Sequence, residues 1–149
     1  MIKIPKIKVN VVYENQVKYS DMVTLTSPDQ TADLLRSLFD GDTLMWTEEC
    51  VMLCLNRANK IIGYYKISSG GTSAAVVDPK VIFTTAINCT ASSIILSHNH
   101  PSGNLTASHA DKELTKKIKS AGELLDIKLL DHIILTSEGY ISMADEGLV

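Results

Sequence analysis

Two strings in the last third of the chain hold residues whose types and spacing could do chemistry. His98 and His100 stand two apart, and after seven residues come Ser108 and, three further on, Asp111. Side chains two apart on an extended segment point the same way, so both imidazoles can face one point. Asp111 reaches that point if the loop through Pro101 and Gly103 folds a following helix back over the strand end. Two imidazoles and one carboxylate are a common donor set for catalytic zinc, which leaves its fourth position to water. The metal lowers the pKa of that water to near neutrality and makes it a nucleophile. A base is then needed, and a carboxylate is the usual choice. Glu48 and Glu49, directly before an apolar run, supply two candidates.

Each residue also has a plainer reading. Ser108-His109-Ala110-Asp111 resembles a capping box, so helix capping alone would account for Ser108 and Asp111. Glu48 and Glu49 could be the solvated start of a strand. His109 reads as an exposed helix residue. His132, beside Asp131 in a strand pattern, reads as a packed, hydrogen-bonded residue and not as a ligand.

The elements that must position these groups follow from periodicity. Cys50 to Leu55 is a continuous apolar run, the pattern of a strand buried on both faces. A turn at 56–60 leads to a second strand, Ile61 to Ile67, paired antiparallel with the first. Ser92 to Ser97 is a buried strand running straight into His98. Ser108 to about Leu125 is an amphipathic helix with Leu114, Ile118, Ala121 and Leu125 inside. Ile127 to Thr136 and Tyr140 to Met143 close the sheet. Upstream, Ser27-Pro28-Asp29-Gln30 announces a helix that Gly41 ends. Asp78-Pro79 starts another, with Val81, Ile82, Ala86 and Ile87 on its inner side. Ile4 to Tyr19 alternates enough to read as a hairpin or two short strands, Ser68 to Thr72 as a loop, and Ala74 to Val77 as a short strand. The expectation is one α/β domain over residues 1–149, a mixed sheet flanked by helices.

Composition bounds the function. The chain has 149 residues, 45% hydrophobic and 21% charged, the balance of a folded protein and not of a disordered one. Its net charge of −3 gives no global attraction to nucleic acid or to an anionic membrane. No apolar run reaches the roughly 18 residues of a membrane span, and no signal-peptide core opens the chain. Cys50, Cys54 and Cys89 form no disulfide framework, which points to a reduced, cytoplasmic setting. Cys50 and Cys54 are expected in the core.

At this point the residues resemble a known family. A glutamate, a gap, then H-x-H-x7-S-x2-D is similar to the signature of JAMM/MPN-type zinc metallopeptidases. The string SHNHPSGNLTASHAD, preceded by LCLNRANKIIG and followed by LLDHIILTSEGYISMADEG, resembles the RadC branch of that group over roughly Asp21 to Val149. The resemblance implies a JAMM/MPN fold, similar to the cytidine-deaminase-like three-layer architecture. By that similarity His98, His100 and Asp111 would hold Zn2+, and Ser108 would hydrogen-bond the bound water or the oxyanion. The general base would be Glu48, with Glu49 the fallback if the register slips by one. Asn99 stands where eukaryotic-type members have Ser or Thr, and Ala107 where RadC members commonly have Pro. Longer RadC proteins carry a helix-hairpin-helix DNA-binding region without a counterpart in these residues, so a RadC-type DNA-repair-associated role enters only as an alternative expectation.

Three functions follow as expectations. The first is a zinc-dependent hydrolase of a peptide or isopeptide bond, acting on a peptide or protein substrate. The second is a nucleic-acid-associated accessory protein, supported by Lys112, Lys116 and Lys119 on one helix face. Glu113 and Glu123 dilute that face and no aromatics interleave it, so strong nucleic-acid binding is not expected. The third keeps the metal as a non-catalytic scaffold, although a closed structural site needs neither Glu48 nor Ser108.

Overall fold

Continuous apolar runs become the central strands of the sheet. In the computed structural model, which describes residues 1–69 and 77–149, β1 (Glu49–Leu55) and β3 (Ser93–Asn99) are buried along their whole lengths. β2 (Ile61–Ser69) pairs antiparallel with β1, and β1 pairs antiparallel with β3. β4 (Lys128–Leu135) runs parallel to β3, and β5 (Tyr140–Ser142) returns antiparallel along β4. The strand order is β2-β1-β3-β4-β5, a mixed sheet with β3 at its centre.

Full burial of a strand requires cover on both faces. One face of β1 and β3 presents Met52, Cys54, Ile94 and Leu96 to α2 (Pro79–Asn88) and α3 (His109–Leu124), through Ile82, Phe83 and Ile118. The other presents Val51, Leu53 and Ile95 to α1 (Pro28–Leu38), through Ala32 and Leu35. The result is the expected three-layer α/β architecture. The caps formed as the residues imply: Ser27 Oγ accepts from Gln30 N, Asp78 accepts from Lys80 N, and prolines open α1 and α2.

Several expectations change. Residues 1–18 form no regular strand and are exposed; among the described residues the isolated backbone bridge beside the sheet is Thr24 to Lys60, and Tyr13 lies against Gly63 of β2. An alternating pattern specifies a strand only where an edge accepts it, and a lone hairpin is marginal in water. In α2 the buried positions are Ile82, Phe83 and Ala86, while Ile87 is 51% exposed. In α3 Leu125 lies past the helix end and is 45% exposed, and Gly122 takes the buried position against Ile127. β2 continues to Ser69, past the start of the expected loop. The rest of that loop and most of the strand expected at 74–77 lie outside the described residues.

Candidate metal centre

The centre forms where β3 ends. Alternation along β3 puts His98 on the α2/α3 face, and the Cα register pairs it with Cys50 of β1. The chain then turns sharply. His100 O accepts from Gly103 N at 3.0 Å, closing a β-turn with Pro101 at its second position. Gly103 has φ +79°, a left-handed value natural to glycine. Asn104 Oδ1 accepts from Thr106 N at 3.0 Å and steers the chain into α3. Ser108 caps that helix in a reciprocal box: its Oγ accepts from Asp111 N at 3.0 Å, and Asp111 Oδ2 accepts from Ser108 N at 2.8 Å. The cap therefore fixes the very carboxylate expected to be a ligand, so the capping reading of this string is realised and leaves Asp111 placed among the candidate donors.

Three donor atoms converge. His98 Nε2 and His100 Nε2 lie 3.0 Å apart; Asp111 Oδ1 is 3.1 Å from the first and Oδ2 is 3.2 Å from the second. A tetrahedral zinc with bonds of about 2.0–2.1 Å requires donor separations of about 3.3 Å. His98, His100 and Asp111 thus fit a mononuclear zinc by spacing and by donor type, and they form the group of residues able to hold a metal among the described residues. His98 is buried and His100 half-buried, so the centre opens to solvent on one side.

The same groups perturb one another. Burial disfavours the charged form of Asp111, but hydrogen bonds from His100 and His98 outweigh it and hold the carboxyl well below its usual range. His100 is raised, chiefly by its hydrogen bond to Asp111 and against the opposing effect of burial; the Asn104 carbonyl and the charges of Asp111 and Glu48 add to it. Burial pushes His132 down to about 3, so its imidazole is neutral.

The two glutamates separate. Glu48, half-buried, continues the alternation of Cys50 and so falls on the face of His98, close enough for its charge to act on His100. Glu49 is on the opposite face, buried, with Oε2 3.0 Å from Lys66 Nζ and Oε1 3.4 Å from Thr43 Oγ1. Glu49 is therefore an ion-paired structural residue.

Three contributors escaped the sequence reading. Asn99, between the two histidines, alternates to the other face and is fully buried. Its Nδ2 donates to Leu44 O at 2.7 Å and Thr47 O at 2.8 Å, and its Oδ1 accepts from Glu49 N at 2.7 Å. It pins the segment that carries Glu48. His132 lies outside the three-donor group but touches it, with Nε2 2.7 Å from His98 Nδ1. Thr115, one turn after Asp111, lies 2.7 Å from His132 Nδ1. The Asp131–His132 adjacency misleads, because Asp131 is occupied by Ser142 Oγ at 2.6 Å and by the backbone N–H groups of His132 and Ala144. His109 sits exposed at the first position of α3.

Fold and donor set together define an α/β domain carrying a His-His-Asp cluster able to bind a metal. Residues 25–148 match the RadC-like JAB domain, and the chain belongs to that family. It is 48% identical over 101 residues to a UPF0758 protein of Flavobacterium johnsoniae, covering 68% of this chain and 44% of that one. It is 40% identical over 124 residues to one of Caldanaerobacter subterraneus, covering 83% and 52%, and 36% identical over 129 residues to one of Staphylococcus haemolyticus, covering 87% and 55%. The chain spans about half the length of these curated relatives.

Proposed function

We propose that this domain is a zinc-dependent hydrolase of peptide or isopeptide bonds. The observation that carries the reading is the convergence of His98 Nε2, His100 Nε2 and an Asp111 carboxylate beside a separate half-buried carboxylate, Glu48. Zinc held by the three would act as a Lewis acid on the substrate carbonyl and lower the pKa of the attacking water.

The remaining work falls to the chain. His100 is oriented by its Nδ1–H, which donates to Asn104 O at 2.8 Å, so Nε2 is the nitrogen it would give to the metal. Glu48 takes a proton from the water as its oxygen bonds to the carbonyl carbon, then passes that proton to the amine nitrogen as the C–N bond breaks. Ser108 Oγ already accepts from Asp111 N, so its own O–H remains to donate to the oxyanion. The substrate is a peptide or protein segment. Neither strong nucleic-acid binding nor membrane association is part of this reading; no helix among the described residues is long and apolar enough to cross a membrane. We place the activity in the cytoplasm, in keeping with free Cys50, Cys54 and Cys89.

The test combines metal analysis with turnover of a quenched-fluorescence peptide library and of lysine-ε-linked isopeptides. Wild type should bind one zinc and cleave. His98→Ala should lose the metal. Glu48→Gln should keep zinc and lose about 10²–10⁴-fold in rate, while Glu49→Gln keeps most of the rate. A Glu48→Gln protein with zinc and full activity would refute the assignment.

A further inference from the structure

A chain of hydrogen bonds runs from one expected ligand back to another. It begins at His98 Nδ1, passes to His132 Nε2 at 2.7 Å, leaves His132 by Nδ1 to Thr115 Oγ1 at 2.7 Å, and ends at Asp111 O, also 2.7 Å from Thr115 Oγ1. Every link is inside the protein: His98, His132 and Thr115 are all buried.

The direction of each bond follows from the far end. A backbone carbonyl only accepts, as does the Met143 thioether sulfur 3.3 Å away, so Thr115 directs its single hydroxyl proton to these acceptors, Asp111 O at 2.7 Å being the nearer. The hydroxyl oxygen can then only accept from His132, which places the His132 proton on Nδ1. His132 Nε2 is left as a lone pair, and it must receive the Nδ1–H of His98. That commits His98 Nδ1 to His132 and leaves Nε2, the atom facing His100 and Asp111, as the ring nitrogen that His98 can offer a metal.

We propose that His132 and Thr115 are positioning residues that set the tautomer of His98 and hold its Nε2 ready for a metal. Histidine ligands need such a partner on the ring nitrogen that faces away, commonly a carboxylate or a carbonyl. A second histidine cannot fill that role unaided, since its own tautomer is ambiguous; Thr115 removes the ambiguity. Because Thr115 lies one helical turn after Asp111, one helix supplies both a ligand and the group that orients another ligand.

This inference rests on the metal-centre reading, and its test separates the two. The His132 and His98 tautomers are read in metal-free protein by long-range 1H–15N correlation, and zinc affinity by chelator competition. In wild type His132 should carry its proton on Nδ1. Thr115→Val, which keeps the volume but removes the hydroxyl, should move that proton to Nε2 and weaken zinc about 10- to 100-fold. Thr115→Ser should restore both. A wild-type His132 protonated on Nε2, or a Thr115→Val protein in which tautomer and affinity do not change together, overturns the proposal. A wild type that takes up no zinc refutes the metal centre instead, while the tautomer still decides the relay.

Discussion

Replacing Asn99 by alanine should destabilise the fold while leaving the three donor side chains in place. Asn99 Oδ1 is the acceptor for Glu49 N, and its Nδ2 serves the carbonyls of Leu44 and Thr47. Glu49 N is buried at the start of a strand, and a buried donor left without a partner costs about 1–3 kcal/mol. The two carbonyls are in a half-buried segment that water can partly reach, so each adds about 0.5–1 kcal/mol. The sum is about 2–5 kcal/mol. At about 2–4 °C per kcal/mol for a chain of this size, the Tm should fall by roughly 10 °C. The loss acts on residues 44–49, so Glu48 should lose its fixed position and turnover should drop beyond what the folded fraction explains. Zinc stoichiometry should hold, because His98, His100 and Asp111 lie on the other face. Urea and thermal unfolding read the first effect, and metal analysis with turnover the second. A change in stability below about 0.5 kcal/mol, the range of an uninvolved surface site, would refute the claim that Asn99 pins this segment.

Three further perturbations follow from the packing. Gly122→Ala would gain about 1 kcal/mol of helix propensity in an open helix, but here the new Cβ would sit 2.2 Å from the Ile127 carbonyl oxygen, so unfolding should become easier by roughly 1–3 kcal/mol. Burial pushes the Cys50 thiol up to about 12, above an unfolded value near 9, so its contribution is full below the unfolded value and is lost as pH rises through that window. Between pH 8 and pH 10.5 wild type should lose about 2 kcal/mol more than Cys50→Ala in urea unfolding, and equal losses would contradict the shift. Lys66→Met leaves the Glu49 carboxylate buried without its cation; with Lys66 41% exposed and screened by solvent, the expected loss is roughly 1–2 kcal/mol, checked by chemical denaturation.

The legible parts of the fold are those where local and tertiary signals agree. β1 and β3 read as buried strands because the runs Cys50 to Leu55 and Ser93 to Ser97 are apolar or small throughout, and a strand covered on both faces needs that. α1 and α3 were legible from their caps, since Ser27 and Ser108 satisfy N–H groups within three residues, an interaction that needs no tertiary partner. Residues 1–18 show the converse. Their alternation is as regular as that of a true strand, yet strand formation depends on an edge elsewhere in the chain, and a local pattern carries no information about that edge. The inner face of α2 failed for a related reason: Ile87 and Phe83 are both apolar, and only the position of the sheet decides that Phe83 goes in.

The candidate centre divides along the same line, and the division says how it is built. His98, His100 and Asp111 are close in sequence because one strand-turn-helix corner can present them, so their spacing alone suffices to find them. The groups that orient them come from elsewhere: His132 from β4, Asn104 from the connecting loop, and the 44–49 segment held by Asn99. His132 could have been suspected only by noting that β3 and β4 run parallel, with Leu96 opposite His132, which puts it on the ligand face. Asn99 could have been suspected from alternation: a polar residue between two inward histidines must face the opposite layer, and a fully buried amide there demands partners. The three donor side chains thus set the kind of metal the corner could hold, whereas the tautomer, the rigidity and the placement of Glu48 depend on long-range contacts. Substitutions at these supporting positions should therefore change affinity and rate with the H-x-H-x7-S-x2-D string intact.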